Sequence, residues 1–338
     1  MLPWFQNDSF PLFLAPMAGF TDTVYRQLCK REGADVMVSE FVMSDSVNLD
    51  QANVWETVDF TEDQRPIGIQ IFGATAESMS DAARRIVDRL NPDFIDLNFG
   101  CPSEKVTCQE AGASLLKNPD RLVAIASAVV KALPESRITA KIRLGWDEQN
   151  LVADTLALQL QDVGIQAITI HGRTKVQGYT GEVNWDIICK IAEMVDIPII
   201  GNGNIRDSEQ VYRLRTNSNV KGIMIGRAAL GYPWIFNKIK THLATGKTPL
   251  PPSLEQRWNT IFDYAQLLSS RPMRKNEQNY IMWMRPRLAK LTKDMLGCKP
   301  LRHELNQVVY IEDLHRIAEK HIARYAHVEQ RIFERLSA

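Results

Sequence analysis

The chain has 338 residues, 45% apolar and 24% charged, with 40 Lys and Arg balancing 40 Asp and Glu. This is ordinary globular composition with enough Val, Ile and Leu for a core, which excludes a disordered chain, and the zero net charge gives no sign of nucleic-acid binding by itself. No run reaches the roughly 18 apolar residues of a membrane span, and Met1 to Phe10 shows no basic segment followed by an apolar one, so a cytoplasmic protein without a membrane partner is expected.

The first half alternates short aliphatic runs with segments of helical period. Strands are expected at Leu12 to Pro16, Asp35 to Ser39 and Ile67 to Phe72, then a helix at Ala76 to Leu90 and a strand at Phe94 to Asn98. A helix at Asp120 to Leu133, a strand at Ile138 to Ile142, a helix at Leu151 to Val163 and a strand at Ala167 to His171 follow. Trp185 to Met194 reads as helix, and Ile197 to Gly201 and Gly222 to Ile225 as the last two strands. Most of these strands are apolar throughout, as expected when both faces are buried under helices. Eight such repeats favour a closed (β/α)8 TIM barrel over an open doubly wound sheet. The glycine patterns of dinucleotide-binding and P-loop folds are absent.

After Gly231 the pattern changes. Thr248-Pro249-Leu250-Pro251-Pro252 reads as a stiff linker, and Leu254 to Leu268, Asn279 to Leu296 and Ile311 to Leu336 predict a bundle of three or four helices. The expected division is a barrel over 1–245 and a small helical domain over 246–338, with the boundary near Thr245 to Ser253. The second part carries 16 Lys and Arg against 10 Asp and Glu, and between Arg271 and Arg302 the ratio is 9 to 2. Such asymmetry suggests an anionic partner, although a solvated helix face would look the same.

A barrel of this type carries its chemistry where strands end. The polar residues there are Met17-Ala18-Gly19, Glu40, Gln70, Asn98 with Cys101, Lys141 with Arg143, His171, Asn202-Gly203-Asn204 and Gly226-Arg227. A lone strand-end histidine is as often a satisfied structural group as a ligand. Beside Gln70, Asn98 and Lys141 at matching places, ligand contact is the better reading. The set mixes amides and cations, without a nucleophile triad or paired carboxylates, so the chemistry belongs to a cofactor. Glycines after strands seven and eight, with Asn202, Asn204 and Arg227, suit a phosphate-bearing cofactor better than tight turns alone.

Cysteines 29, 101, 108, 189 and 298 are odd in number and never spaced as a zinc pair, so neither a disulfide framework nor a metal site is expected. Cys101 stands apart in Asn98-Phe99-Gly100-Cys101-Pro102-Ser103. A thiol with a pKa of about 8.5 is mostly protonated at neutral pH and can donate a proton. By itself it would pass for a packing residue, which is how the other four cysteines read.

These residues belong to recognisable motifs: Ala15-Pro16-Met17-Ala18-Gly19-Phe20-Thr21-Asp22, Gln70-Ile71-Phe72-Gly73, Asp96-Leu97-Asn98-Phe99-Gly100-Cys101-Pro102, Lys141-Ile142-Arg143-Leu144-Gly145-Trp146, His171-Gly172-Arg173-Thr174 and Ile225-Gly226-Arg227. In this order, over essentially the whole chain, they resemble the tRNA-dihydrouridine synthases. Gly231-Tyr232-Pro233-Trp234-Ile235-Phe236 resembles the bacterial B-type branch. The resemblance implies FMN held by Pro16, Met17, Ala18, Gln70, Lys141, His171, Asn202, Gly203, Asn204, Gly226 and Arg227, reduced by NADPH or NADH. It implies hydride transfer to C6 of a tRNA uridine and protonation of C5 by Cys101. Asn98, Arg143 and Tyr179 are the candidates for holding the uracil. The basic helical tail becomes the tRNA platform, and no obligate protein partner is implied. One departure falls in that tail, where Met284-Arg285-Pro286-Arg287 has a proline in place of the Lys-His pair of the B type. Two other readings stand beside this one: an FMN barrel acting on a free pyrimidine, like dihydroorotate dehydrogenase, and a tRNA-binding barrel without catalysis.

Overall fold

The computed structural model describes residues 2–6, 9–270 and 276–337. Met1, and Arg271, Arg274 and Lys275 of the basic stretch, lie outside the described residues. The chain divides into two compact units, Met1–Lys30 with Ala34–Gly226, and Arg31–Gly33 with Arg227–Ala338.

The strands of the first unit are β1 (Leu12–Leu14), β2 (Val36–Val38), β3 (Val42–Met43), β4 (Ile67–Phe72), β5 (Phe94–Phe99), β6 (Ile138–Arg143), β7 (Ile168–His171), β8 (Ile199–Asn202) and β9 (Gly222–Ile225). All strand pairings are parallel, running β2-β1-β9-β8-β7-β6-β5-β4, and the further pairing of β2 with β4 closes the sheet into a (β/α)8 barrel. β2 and β3 share one barrel position: β2 pairs with the start of β4 and β3 with its end. Between them Glu40-Phe41 leaves the ladder, and Glu40 Oε2 accepts from the Gly19 N–H at 2.9 Å.

The strands are buried along nearly their whole length, as their apolar sequences require. Helices cover the outside: α1 (Thr23–Arg31), α2 (Ser44–Asn48), α3 (Ala52–Val58), α4 (Ala76–Leu90), α5 (Glu104–Thr107), α6 (Pro119–Ala132), α7 (Ala153–Asp162), α8 (Trp185–Met194) and α9 (Ser208–Asn217). Their starts obey local chemistry, with Thr75, Asn118, Asn184 and Asp207 each accepting a backbone N–H of the first turn. Inside, Leu2, Phe13, Val36, Phe94, Ala167, Ile200 and Met224 form one cluster with Trp4 and Phe5 against it, so the barrel is a packed core and not a pore. Large and small residues alternate across it. Gly68 stands opposite Phe94, whose ring would lie 2.1 Å from any added Cβ.

The second unit holds α10 (Arg227–Gly231), α11 (Ile235–Thr245), α12 (Leu254–Ser269), α13 (Glu277–Leu291), α14 (Cys298–Leu305) and α15 (Ile311–Ser337). Trp258, fully buried, donates to His321 Nδ1 at 3.2 Å, and Ser253 with Gln256 forms a capping box on α12. The division falls at Gly226/Arg227, ahead of the Thr245 to Ser253 stretch expected from the prolines. The reason is local: Pro249, Leu250 and Pro252 line a cleft together with Tyr232, Trp234 and Asn237 on one side and Gln256 and Thr260 on the other. The linker therefore joins α11 to α12 inside one unit. Among the described residues no helix is long and apolar enough to cross a membrane, and no cluster of three or more His, Cys, Asp or Glu could hold a metal ion.

Candidate active site

The ladder sets the site. Asn98 lies opposite Lys141, Arg143 opposite His171, and His171 opposite Asn202, so these side chains come from one end of neighbouring strands. Polar groups there are buried, and buried polar groups need partners. Gln70 Nε2 donates to Asp96 Oδ2 at 2.6 Å, and Asn98 Nδ2 donates to Gln70 Oε1 at 2.8 Å. Asn98 Oδ1 in turn accepts from the backbone N–H groups of Gly100 and Cys101, at 3.1 and 2.9 Å. Asn98, expected to hold uracil, thus has its carbonyl oxygen engaged by the Cys101 loop.

Cys101 is half-buried against a cluster of Phe72, Val106 and Ala111. Burial pushes its thiol above the ordinary range, against the Ser103 backbone N–H and the charges of Arg143 and Lys141. It is therefore a neutral thiol near pH 7, able to give a proton but poorly disposed to act as a thiolate nucleophile. Cys108, expected to be a packing residue, is instead exposed at the end of α5. Packing needs a buried face, and four-residue α5 buries only Val106.

The two cations of β6 differ. Arg143 is buried, its Nε donating to Gly100 O at 2.9 Å and its Nη1 to Thr174 O and Gly178 O at 2.8 Å each. It ties the loop after β7 to the Cys101 loop, so most of its donors are already taken. Tyr179 rides on that same loop, half exposed, with its ring 5.5 Å from the Arg143 guanidinium and 6.3 Å from the His171 ring. Arg173 clamps the loop further on, donating twice to Gly181 O, and lies 3.4 Å from His171 Nε2. Lys141 is unlike both. Its one hydrogen bond among the described residues goes to Asn202 Oδ1 at 3.3 Å, while Asn202 Nδ2 donates to Met224 O at 2.7 Å. Burial first, and Arg143 second, lower the Lys141 ammonium to about 8. A desolvated lysine with no bound carboxylate is a cation prepared for an anion.

Gly203 and Asn204 both have positive φ, +136° and +48°, a conformation that a turn after β8 demands and that glycine adopts without strain. Gly226, where β9 ends, faces Ala15 Cβ and Met17 Sδ across 3.6 Å from where its own Cβ would be. Pro16, Met17 and Ala18 form the turn after β1, fixed by Met17 N–H to Thr21 Oγ1 at 2.8 Å, with Ala18 exposed. Arg227 opens α10, in the second unit. Sequence reading passed over Asp96, Thr139 and Arg173 as site residues. The available signal for Asp96 was alternation: two residues before Asn98 in a strand, it shares Asn98's face.

The family model for dihydrouridine synthase (Dus) matches residues 13–327. The chain belongs to the dihydrouridine synthase family. Similar proteins include tRNA-dihydrouridine synthase B of Xanthomonas campestris pv. campestris, 39% identical over 257 residues, covering 76% of this chain and 77% of the relative. Another is tRNA-dihydrouridine synthase B of Pseudomonas syringae pv. tomato, 43% identical over 237 residues and 70% of each chain. These place the chain with the bacterial B-type members of the family. Among solved structures, TcOYE with pHBA has a TM-score of 0.50 at 11% identity, covering 72% of this chain and 91% of that one, which speaks to the barrel fold alone.

The lowered Lys141 predicts a measurable titration. Below about 8 the ammonium is charged and above it neutral, so affinity for an anion at this site falls as pH rises through that value. Competitive acylation of ligand-free protein, read peptide by peptide, should place Lys141 near 8, below surface lysines at about 10.4. A Lys141 midpoint above 10 would contradict the site as described.

Proposed function

We propose that this protein is a flavin-dependent tRNA-dihydrouridine synthase of the bacterial cytoplasm. The observation that carries the mechanism is the place of the half-buried Cys101, its backbone N–H held by Asn98 in a loop tied to β6 by Arg143. The residues fit FMN. Lys141 is a buried cation whose hydrogen bond to Asn202 is long, Gly203 gives the turn after β8 no side chain, and Gly226 has none beside Met17. Pro16, Met17, Ala18, Gln70, Lys141, His171, Asn202, Gly203, Asn204 and Gly226 would hold it. When bound and reduced by NADPH or NADH, it supplies hydride for C6 of the uracil.

The chain's own part is the proton. Hydride at C6 moves the C5–C6 electron pair onto C5 and the C4 carbonyl, giving an enolate, and Cys101 Sγ protonates C5 to complete dihydrouridine. The thiolate left behind takes a proton from solvent. Lys141 stabilises negative charge beside the reaction. Of the uracil candidates, Tyr179 keeps an exposed ring, whereas Asn98 and Arg143 act mainly by fixing the Cys101 and 174–181 loops.

A uridine within folded tRNA must be turned out of its stack, which requires the protein to grip the surrounding phosphates. The basic tail is narrower than its charge count suggests. Arg287 is buried with its guanidinium 3.2 Å from the Trp283 ring centroid, and Arg285 donates twice to Val308 O. Both are tied up within the helical unit. Lys290, Lys293 and Lys299 are exposed and remain for RNA. On the barrel unit, Lys117 and Lys175 place their ammoniums 3.7 and 4.4 Å from the Trp146 ring centroid, a second basic feature.

Two outcomes are expected. Cys101→Ala should keep FMN and its reduction by NADPH yet slow uridine reduction by about 10²- to 10⁴-fold, the usual cost of removing a positioned acid. Cys108→Ala should behave as wild type. Retained activity in Cys101→Ala, measured as dihydrouridine per flavin, would assign the acid elsewhere. Changing Lys290, Lys293 and Lys299 together to Glu should weaken tRNA binding and flatten its dependence on log salt by roughly 0.7 to 0.9 per lost phosphate contact. An unchanged slope would remove this face from the tRNA footprint.

A further inference from the structure

The hydrogen bonds beneath Cys101 have a direction. The backbone N–H groups of Gly100 and Cys101 can only donate, and both meet one atom of Asn98, which must be its oxygen. The Asn98 NH2 group is thereby turned onto Gln70, whose oxygen must face it, and the Gln70 NH2 group is turned onto Asp96. Asp96 ends the chain as an acceptor, its other oxygen receiving Thr139 Oγ1–H at 2.6 Å. Asp96, Gln70 and Asn98 are 2%, 0% and 5% exposed, so water does not compete for any link. An amide can be turned over with little steric change. What fixes both amides here is the chemistry of the two ends, donors at the loop and an acceptor at position 96.

We infer that Asp96 is a positioning residue: by accepting from Gln70 it sets the orientation of the Gln70 and Asn98 amides and so holds the Cys101 loop in one place. The inference rests on the reading of Cys101 as the proton donor. A carboxylate in a fully buried strand is costly, and a space-filling role would be met by an apolar residue. Its two short hydrogen bonds and the nearby Lys141 charge compensate, while burial raises its pKa above the ordinary carboxylate range.

The direction of the chain can be tested by reversing it. In Asn98→Asp, one new carboxylate oxygen still accepts from the loop, but the other faces the Gln70 oxygen. Gln70 must turn over, and its oxygen then meets that of Asp96. One shared proton would repair the chain. The tRNA-driven oxidation of reduced flavin, per bound flavin, should therefore be about 10²-fold slower in Asn98→Asp at about pH 8.5, the scale of a misplaced reacting group. It should also recover as pH falls toward about 6, more than wild type does. Adding Asp96→Asn supplies an N–H to the overturned Gln70 and keeps an oxygen for Thr139. The double variant should regain about tenfold at pH 8.5 and lose the acid dependence.

A role in packing alone makes the two changes add, so a double variant no faster than Asn98→Asp overturns the inference. An Asn98→Asp protein as fast as wild type does so too. If Asn98→Asp does not accumulate folded, Gln70→Glu asks the same question, since its carboxylate accepts from Asn98 but opposes Asp96, and Asp96→Asn should again rescue it. Cys101→Ala run alongside separates the two ideas. Wild-type rate in Cys101→Ala removes the donor assignment itself, whereas an inactive Cys101→Ala beside an unaffected Asn98→Asp removes only the role of Asp96.

Discussion

Everything at this site follows from one constraint, that polar groups inside a closed parallel barrel must satisfy one another. The barrel has no sheet edge and no water-filled lumen, and its ladder register puts Asn98 beside Lys141, Arg143 beside His171, and His171 beside Asn202. An unpaired amide there would cost about 1 to 3 kcal/mol, and an unpaired carboxylate more. The side chains accordingly pair into two sets. One runs from Thr139 through Asp96, Gln70 and Asn98 to the Cys101 backbone, and the other from Lys141 through Asn202 to the Met224 carbonyl. The first set is complete at both ends. The second ends in the Lys141 ammonium, whose hydrogen bond to Asn202 is long at 3.3 Å.

The choice between arginine and lysine divides structure from chemistry. Arg143 and Arg173 keep their charge under burial and offer several donors in fixed directions, which suits them to clamp backbone carbonyls of the loop after β7. Their work is to make Gly178 to Gly181 and the Cys101 loop rigid. Lys141 is a single point charge whose protonation responds to desolvation. It stands two residues before Arg143 on β6, and its charge falls away as pH rises through about 8. The same division recurs in the helical unit, where Arg285 and Arg287 hold the fold and Lys290, Lys293 and Lys299 stay exposed.

Most of the barrel was legible because its strands are apolar runs and its helices carry clear periodicity. β4, α4, α8 and β9 begin and end where the pattern says. That Gln70, Lys141, His171 and Asn202 stand near the ends of apolar strands was legible for a related reason, since each is a polar residue closing an apolar run. Asp96 was not, because it sits two residues deeper and its partners Gln70 and Thr139 come from neighbouring strands that the linear sequence does not bring together. The loop grip of Arg143 was hidden likewise, as carbonyl acceptors leave no mark in sequence. Prolines 249, 251 and 252 looked like a boundary, but composition reports a stiff segment without reporting what flanks it. The charge count of the tail overestimated its free cations for the same reason: Val308 and Trp283 engage two of the arginines.

The most direct measurement is an anaerobic single turnover, in which the purified protein is reduced with NADPH, freed of excess reductant and mixed with an unmodified tRNA transcript. The account predicts that the yellow oxidised flavin returns in proportion to uridines that become heavier by two hydrogens at one or a few positions. Flavin that stays reduced in the presence of tRNA, or returns without any change in the nucleosides, would contradict it.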